Sequence, residues 1–467
     1  MSNELWGLDA VTLVAGIRNG EFTARDVIAA CLERIDATNP QLNALTEVRP
    51  EAALEAADAA DRAVADGQAL GPLHGVPVVI KGCVDVAGWV TDHGCAALQD
   101  NMAEQNSPCV QNWLNAGAIV IGRSNTPEFA CRWETTNDLY GVTHNPWNAE
   151  HTPGGSSGGT GAAVTVGMVP LGHGTDLGGS LRHPAQACGV VAIRPSRGRV
   201  PCWNPTDPGE PAIGFQLMNT DGAIGRRVRD VRLGLQAMVA DDLHDPWWLP
   251  VPLEQTSDKP PTVALVVDPA GGGINEQVRS GVEHAGKLLA EAGYEVEEIE
   301  PPAIAEAADL WMTICLGELL ALLEPAVKDI CGPTLLRTFD CFRAALPMPS
   351  LKQYASAFGR RRAILRDWLA FFERYPLIVA PVSTEPPLLQ DQDIASPESN
   401  RDVIDSMRMT VPVNLLGLPA AVVPVGTRDG FPQVVQIIGP PLEEMRCLAA
   451  AEAIEQQVEA LTPIDPR

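Results

Sequence analysis

Apolar residues recur with helical spacing over residues 24–37, 47–66, 158–168, 275–292, 351–373 and 443–458. Shorter continuous apolar runs lie at 76–81, 118–122, 189–193, 262–267, 377–380, 420–425 and 433–438. The first set predicts helices that bury one face. The second is too short for helices and rich in Val, Ile and Ala, so it reads as strands covered on both sides. Helices alternating with such strands predict an α/β fold, a largely buried sheet with helices on both faces. No stretch is rich enough in Gly, Ser or charge to act as a linker, so a single large domain is expected over residues 1–467.

Two glycine-rich loops interrupt this pattern. One is Thr-Pro-Gly-Gly-Ser-Ser-Gly-Gly-Thr-Gly at 152–161, and the other is Gly-Thr-Asp-Leu-Gly-Gly-Ser-Leu-Arg at 174–182. Glycine lets backbone amides come close to a reacting atom, and serine supplies a hydroxyl nucleophile, so the pair points to acyl chemistry. A hydroxyl needs a base. No histidine follows His284, which weighs against the late-His order of an α/β-hydrolase, although Gly155-Ser156-Ser157-Gly158-Gly159 fits that fold's G-x-S-x-G nucleophile elbow and offers Ser157 as an alternative nucleophile. An elbow also needs a strand running straight into the turn, whereas 151–154 reads as loop.

Lysine is the other available base. Of five lysines, Lys81, Lys259, Lys287, Lys328 and Lys352, only Lys81 lies in an apolar run, Val76-Pro77-Val78-Val79-Ile80-Lys81. Burial favours the neutral amine, which can accept a proton from a serine; arginine could not do this.

These segments resemble the amidase signature family. The resemblance runs through Pro72-Leu73-His74-Gly75-Val76-Pro77, Ser124-Asn125-Thr126-Pro127-Glu128-Phe129, Asn137-Asp138-Leu139-Tyr140-Gly141, Asn145-Pro146-Trp147-Asn148, both loops, and Arg194-Pro195-Ser196-Arg197-Gly198-Arg199-Val200. It resumes in Asn414-Leu415-Leu416-Gly417-Leu418-Pro419 and Gln436-Ile437-Ile438-Gly439-Pro440-Pro441. It implies an amidase signature fold with a mixed, twisted sheet and a Ser-Ser-Lys triad in which Lys81 is the base, Ser156 the bridging serine after a cis Gly155-Ser156 bond, and Ser180 the nucleophile. The amides of Leu177, Gly178, Gly179 and Ser180 would form the oxyanion hole, braced by Asp176 and Arg182. Ala130, Cys131, Ser156 and Cys315 would touch substrate. The chain departs from the family pattern at Gly82, where an acidic residue often follows the lysine, and at Arg194, where a lysine often precedes Pro195. These changes bear on the electrostatic surroundings of Lys81 rather than on the three roles.

Composition narrows the partners. A net charge of -26 argues against nucleic acid and anionic membranes. No H-E-x-x-H, P-loop or dinucleotide motif occurs, so no metal or cofactor is expected. No run approaches the roughly 18 apolar residues of a membrane span and the first residues lack a signal-peptide pattern, which predicts a soluble cytoplasmic protein. Eleven cysteines without a C-x-x-C pair fit reduced thiols.

The region from 200 to 220 and from 301 to 375 matches the family least. Trp203, Phe215, Met218, Trp311, Met312, Cys315, Phe339, Phe342 and Tyr354 within it are pocket candidates, with core packing the plainer reading for any one of them. The resemblance implies hydrolysis of an amide, an aryl amide, a carbamate (urethane) or an ester through an acyl-enzyme. It leaves open a homodimer, and also an amidotransferase A-type subunit that releases ammonia from glutamine within a complex.

Overall fold

The computed structural model describes residues 2–207, 209–253 and 261–467; Lys259 lies outside them. The strands are β1 (Leu45–Val48), β2 (Pro77–Lys81), β3 (Ile119–Ser124), β4 (Thr136–Asn137), β5 (Gly141–Val142), β6 (Leu171–Thr175) and β7 (Val191–Arg194). They continue with β8 (Asp221–Gly225), β9 (Thr262–Leu265), β10 (Glu295–Glu298), β11 (Leu377–Pro381), β12 (Ala420–Arg428) and β13 (Phe431–Ile438). Eleven of them form one sheet in the order β1-β3-β2-β6-β8-β7-β12-β13-β11-β9-β10, while β4 and β5 pair separately. The sheet is mixed. β2 runs parallel to β3 and β6, and β9 parallel to β10 and β11; the pairs β6·β8, β8·β7, β7·β12 and β12·β13 are antiparallel.

Successive strand residues point to opposite faces, and the core records this. Val78, Ile80, Ile193, Val379, Val423 and Ile437 pack in one continuous cluster on one side. Their neighbours go to the other side, Val79, Ala192 and Val422 into one cluster and Ile378, Ala380 and Ile438 into another. The sheet is thus covered on both faces, as the unbroken apolar runs predict, in one α/β domain.

All seven predicted strands are present, and the predicted helices appear as Ala24–Leu42, Pro50–Ala65, Gly158–Thr165, Glu276–Glu291, Leu351–Arg374 and Glu444–Glu455. Capping boxes, Thr23 with Asp26 and Ser350 with Gln353, set two of the starts. The helix predicted over 47–66 is preceded by β1 and begins at Pro50, whose ring suits a first turn. β6 and β8, near the middle of the sheet, escape prediction because Leu-Gly-His-Gly-Thr and Asp-Gly-Ala-Ile-Gly carry few β-favouring side chains. The glycines are there for space: a side chain at Gly222 would run into the Ile193 carbonyl.

One expectation is overturned. Ile304–Val327 is long and apolar enough to cross a membrane by length and composition. Half of that window is buried in this protein, with Trp311, Ile314, Cys315 and Leu316 packed in a core cluster. Two π-helical turns, Met312–Leu316 and Leu319–Leu323, interrupt the run.

A buried ion pair fixes the C-terminal helix to the 196–200 loop. Glu444 accepts from Ser196 N at 2.9 Å and Arg199 Nε at 3.0 Å, and both side chains are shielded from solvent. Arg199→Ala leaves that carboxylate buried without its counter-charge. The expected cost is about 3–5 kcal/mol, read as a lower urea midpoint; an unchanged midpoint would show that the pair contributes nothing to the fold.

Candidate active site

The last residue of β2 is Lys81, and its side chain is fully buried. Its Nζ lies 2.6 Å from Ser156 Oγ and 2.9 Å from Thr175 Oγ1 at the end of β6. Among the described residues only hydroxyls meet the amine, and no carboxylate pairs with it. Burial therefore pushes its pKa below the usual lysine range, while the fields of Asp176 and Asp221 pull the other way. Ser156 follows a cis Gly155–Ser156 bond, and its carbonyl accepts from Thr126 Oγ1 at 3.0 Å. Ser157 differs: its side chain is fully buried, and its Oγ lies 3.4 Å from the Thr175 carbonyl.

Four residues, 177 to 180, turn from β6 into the helix Arg182–Cys188, and each of their amides is aimed by a tie on the carbonyl before it. A trans peptide points its N–H opposite to its C=O. The Asp176 carbonyl accepts from Asn414 Nδ2 at 3.1 Å, that of Leu177 from Trp311 Nε1 at 3.1 Å, that of Gly178 from Trp133 Nε1 at 2.8 Å, and that of Gly179 from His183 N at 2.7 Å. The amides of Leu177, Gly178 and Ser180 have no acceptor among the described residues. Gly179 is different, because its N–H donates to Asp176 Oδ1 at 2.8 Å. Three free donors remain of the four the resemblance implies. Gly179 also has φ +103°, a backbone region open to glycine.

Asp176 organises the loop. Its carboxylate, wholly buried, also accepts from Leu181 N (3.2 Å), Arg182 Nε (3.0 Å) and Asn414 Nδ2 (2.7 Å). Arg182 is equally buried and reaches on to the Thr410 carbonyl and Gln436 Oε1. Burial alone would raise the Asp176 pKa, but the Arg182 guanidinium and these hydrogen bonds outweigh it and hold the carboxyl well below the usual range.

Beside this loop lies a cavity of about 450 Å³ lined by Ser156, Thr175, Leu177, Gly178 and Ser180. Ala130 and Cys131 line it from the 128–131 segment, where Phe129 and Ala130 both take positive φ. The π-helical run supplies Cys315, Leu316 and Leu319 next to Trp311. Of the aromatic and sulfur candidates, Trp203, Phe215, Trp311, Cys315 and Phe342 line the cavity, whereas Met218 and Phe339 are core residues. Met312 and Tyr354 are not on its wall; the Tyr354 hydroxyl instead donates to Glu318, which also accepts the Gly214 and Phe215 amides and so fixes the Phe215 turn. Thr175, Trp133, Asn414 and Gln436 are site residues that sequence reasoning gave no role. Asn414 and Gln436 stand in the C-terminal motifs, but nothing local in the sequence names partners more than 230 positions away. The fold also gathers Cys109, His173 and Asp221, three metal-capable side chains with no motif spacing, into a buried group in which His173 Nε2 is 3.1 Å from Asp221 Oδ1.

A mixed α/β sheet with a buried lysine against a serine, beside a glycine-serine loop, is the architecture of a hydrolase acting on amides. The family model described as Amidase matches residues 26–448, and the chain belongs to the amidase signature family. It is 39% identical over 459 residues to an indoleacetamide hydrolase of Bradyrhizobium diazoefficiens, covering 98% of this chain and 88% of that one. It is 34% identical over 470 residues to the A-type subunit of the glutamyl-tRNA(Gln) amidotransferase of Chloroflexus aggregans, with 94% and 93% covered. Among solved structures, a bacterial aryl acylamidase of the amidase signature family superposes with a TM-score of 0.83 at 26% identity, over 98% of this chain and 96% of that one.

The depressed Asp176 pKa has a stability consequence with a definite sign. A carboxyl whose pKa falls on folding stabilises the protein above its unfolded pKa, about 3.9, and loses that contribution as pH drops toward the folded value. Asp176→Asn should therefore lower the urea midpoint at pH 7 and differ progressively less from the parent below about pH 4. A difference independent of pH would mean that the charge of Asp176 is not what counts.

Proposed function

We propose that this protein hydrolyses amides of uncharged aromatic carboxylic acids through an acyl-enzyme on Ser180. The observation that carries the reading is Lys81, buried without a carboxylate partner, 2.6 Å from Ser156 Oγ. Neutral Lys81 takes a proton through the Ser156 hydroxyl as Ser180 Oγ attacks the amide carbonyl. The negative charge that develops on oxygen is met by the amides of Leu177, Gly178 and Ser180. The proton returns along the same path to the departing nitrogen, leaving the acyl group on Ser180. Water then attacks the ester with Lys81 and Ser156 again acting as base, and the acid is released. No step calls on a metal or a cofactor. The same steps serve carbamates and activated esters.

The substrate class follows from the wall of the cavity. Trp133, Trp311, Cys131, Cys315, Leu316 and Phe342 present an apolar, aromatic surface. Both arginines on the wall are already engaged, Arg132 by Asp391 and Asp393 and Arg197 by Asp245. A carboxylate on the substrate would enter without a counter-charge, which costs far more than it returns. This favours a neutral arylacetamide, in keeping with the indoleacetamide hydrolase relative, over the α-carboxylate of glutamine. The amidotransferase reading is supported by the 34% identity to the Chloroflexus aggregans protein; co-purification of a stable partner, with glutamine turned over faster than any aryl amide, would favour it. The elbow reading requires Ser157 to meet substrate, and Ser157 is not among the residues that line the cavity.

Two outcomes test the mechanism. Lys81 has a lowered pKa and must be neutral to act, so kcat/KM should rise with pH through the Lys81 pKa, and Lys81→Ala should lower kcat by about 100- to 10,000-fold. A rate that falls with rising pH would exclude an amine base. Separately, a fluorophosphonate should label Ser180, and Ser180→Ala should abolish both labelling and hydrolysis; label on Ser157 would establish the elbow mechanism instead.

A further inference from the structure

Many of the polar side chains on the cavity wall are committed. Thr175 and Ser156 hold Lys81, Arg132 and Arg197 hold carboxylates, Ser107 donates to Asn204, and the Trp133 and Trp311 indoles hold loop carbonyls. His93 lines the same cavity and takes no part in any of this. Its position is fixed from two sides. The His93 carbonyl accepts the Phe129 N–H at 2.9 Å, and its ring stacks on the Phe129 ring at a centroid distance of 5.6 Å and an interplanar angle of 16°. Both residues hold positive φ, 53° and 50°, so the stack belongs to a backbone arrangement that ordinary residues seldom adopt.

Neither ring nitrogen of His93 has a hydrogen-bond partner among the described residues. The charged groups whose fields reach the ring are engaged elsewhere: Asp85 accepts from Thr206, Arg123 donates to the Val84 and Gly82 carbonyls, and Lys81 faces its hydroxyls. Burial disfavours the imidazolium and lowers the pKa to about 4, leaving a neutral ring with one donor and one acceptor. The residue is only partly buried and stands on the cavity wall, so its nitrogens are open to a molecule in the cavity rather than sealed in the core. A phenylalanine at this position would keep the stack on Phe129 but offer such a molecule no hydrogen bond.

We infer that His93 is a specificity-determining residue that hydrogen-bonds the substrate's own aromatic portion, so that the cavity selects amides whose ring bears a neutral N–H or O–H over hydrocarbons of the same shape. This rests on the amide-hydrolase reading of the site and adds the recognition element which that reading lacks. An apolar wall distinguishes such rings poorly, whereas a positioned polar group rejects the analogue that cannot pair with it.

The test compares indole-3-acetamide with benzothiophene-3-acetamide, which differ by N–H against sulfur at near-constant shape. The parent enzyme should prefer the indole by about ten-fold in kcat/KM, carried mainly in KM, as one neutral hydrogen bond gives. His93→Phe keeps a ring to stack on Phe129 and removes both nitrogens, and it should bring the ratio of the two substrates close to one. Partial recovery of the ratio in His93→Asn, which restores a donor and an acceptor, would support the hydrogen bond over a packing effect. Hydrolysis of both amides by the parent without preference overturns the inference alone, as does a preference that survives in His93→Phe. Turnover of neither amide overturns the amide-hydrolase reading and this inference with it. The parent ratio stays decisive should His93→Phe fail to fold.

Discussion

The buried carboxylate of Asp176 is the constraint on which the site depends. Taking a carboxylate and a guanidinium out of water costs several kcal/mol each, and only close geometry with every oxygen satisfied offsets it. Here the two oxygens receive the Gly179 and Leu181 amides, the Arg182 guanidinium and the Asn414 amide. That set joins three parts of the chain: the glycine loop, the helix after it, and the C-terminal segment whose Gln436 and Thr410 take the rest of Arg182. Gly179 turns its N–H inward because the carboxylate holds it. The neighbouring amides then have no freedom to follow, since the carbonyls before them are tied outward to Trp311 and to His183 N.

Lys81 and Arg182 are two buried basic side chains with different partners. Both are fully buried, Lys81 at the end of β2 and Arg182 at the start of the helix Arg182–Cys188. Arg182 has a carboxylate in contact; Lys81 has only the Ser156 and Thr175 hydroxyls, and desolvation lowers its pKa. The absence of an acidic residue at position 82, where the family pattern often has one, belongs to this balance. Asp176 and Asp221 supply negative field without touching the amine, which moderates the shift.

Much of this was legible in the sequence, and the remainder was hidden for identifiable reasons. The unbroken apolar runs disclosed seven strands because a sheet covered on both faces needs no polar alternation. β6 and β8 were missed because the glycines that let them pack closely also erase the strand pattern. Lys81, Ser156 and Ser180 could be singled out through the motifs of the family resemblance, and the structure brings Lys81 and Ser156 into contact. The commitment of the Gly179 amide to Asp176 could not, since it depends on the turn adopted by four residues at once. Asn414 and Gln436 stood in visible motifs without a visible purpose, because their purpose is a guanidinium more than 220 positions earlier. Ile304–Val327 passed unnoticed for another reason: Glu306, Asp309, Glu318 and Glu324 break its apolar run, so only its average hydropathy resembles that of a membrane span, while part of it faces the core and part the cavity.

The same stretch explains how substrate choice and chemistry are linked in this fold. The glycine-serine loop is tied to the C-terminal motifs through Arg182, while part of the cavity wall comes from helices of the least family-like region. The two meet at Trp311, which is both a wall residue and the donor to the Leu177 carbonyl. Its register is set where the helix passes into π geometry at Met312–Leu316, a form common where a functional side chain must be re-aimed. A side chain at Gly178 would collide with that indole. Changes in Cys315, Leu316 or Leu319 can therefore reshape the pocket without disturbing the loop, whereas any change that moves Trp311 alters the direction of the Gly178 amide.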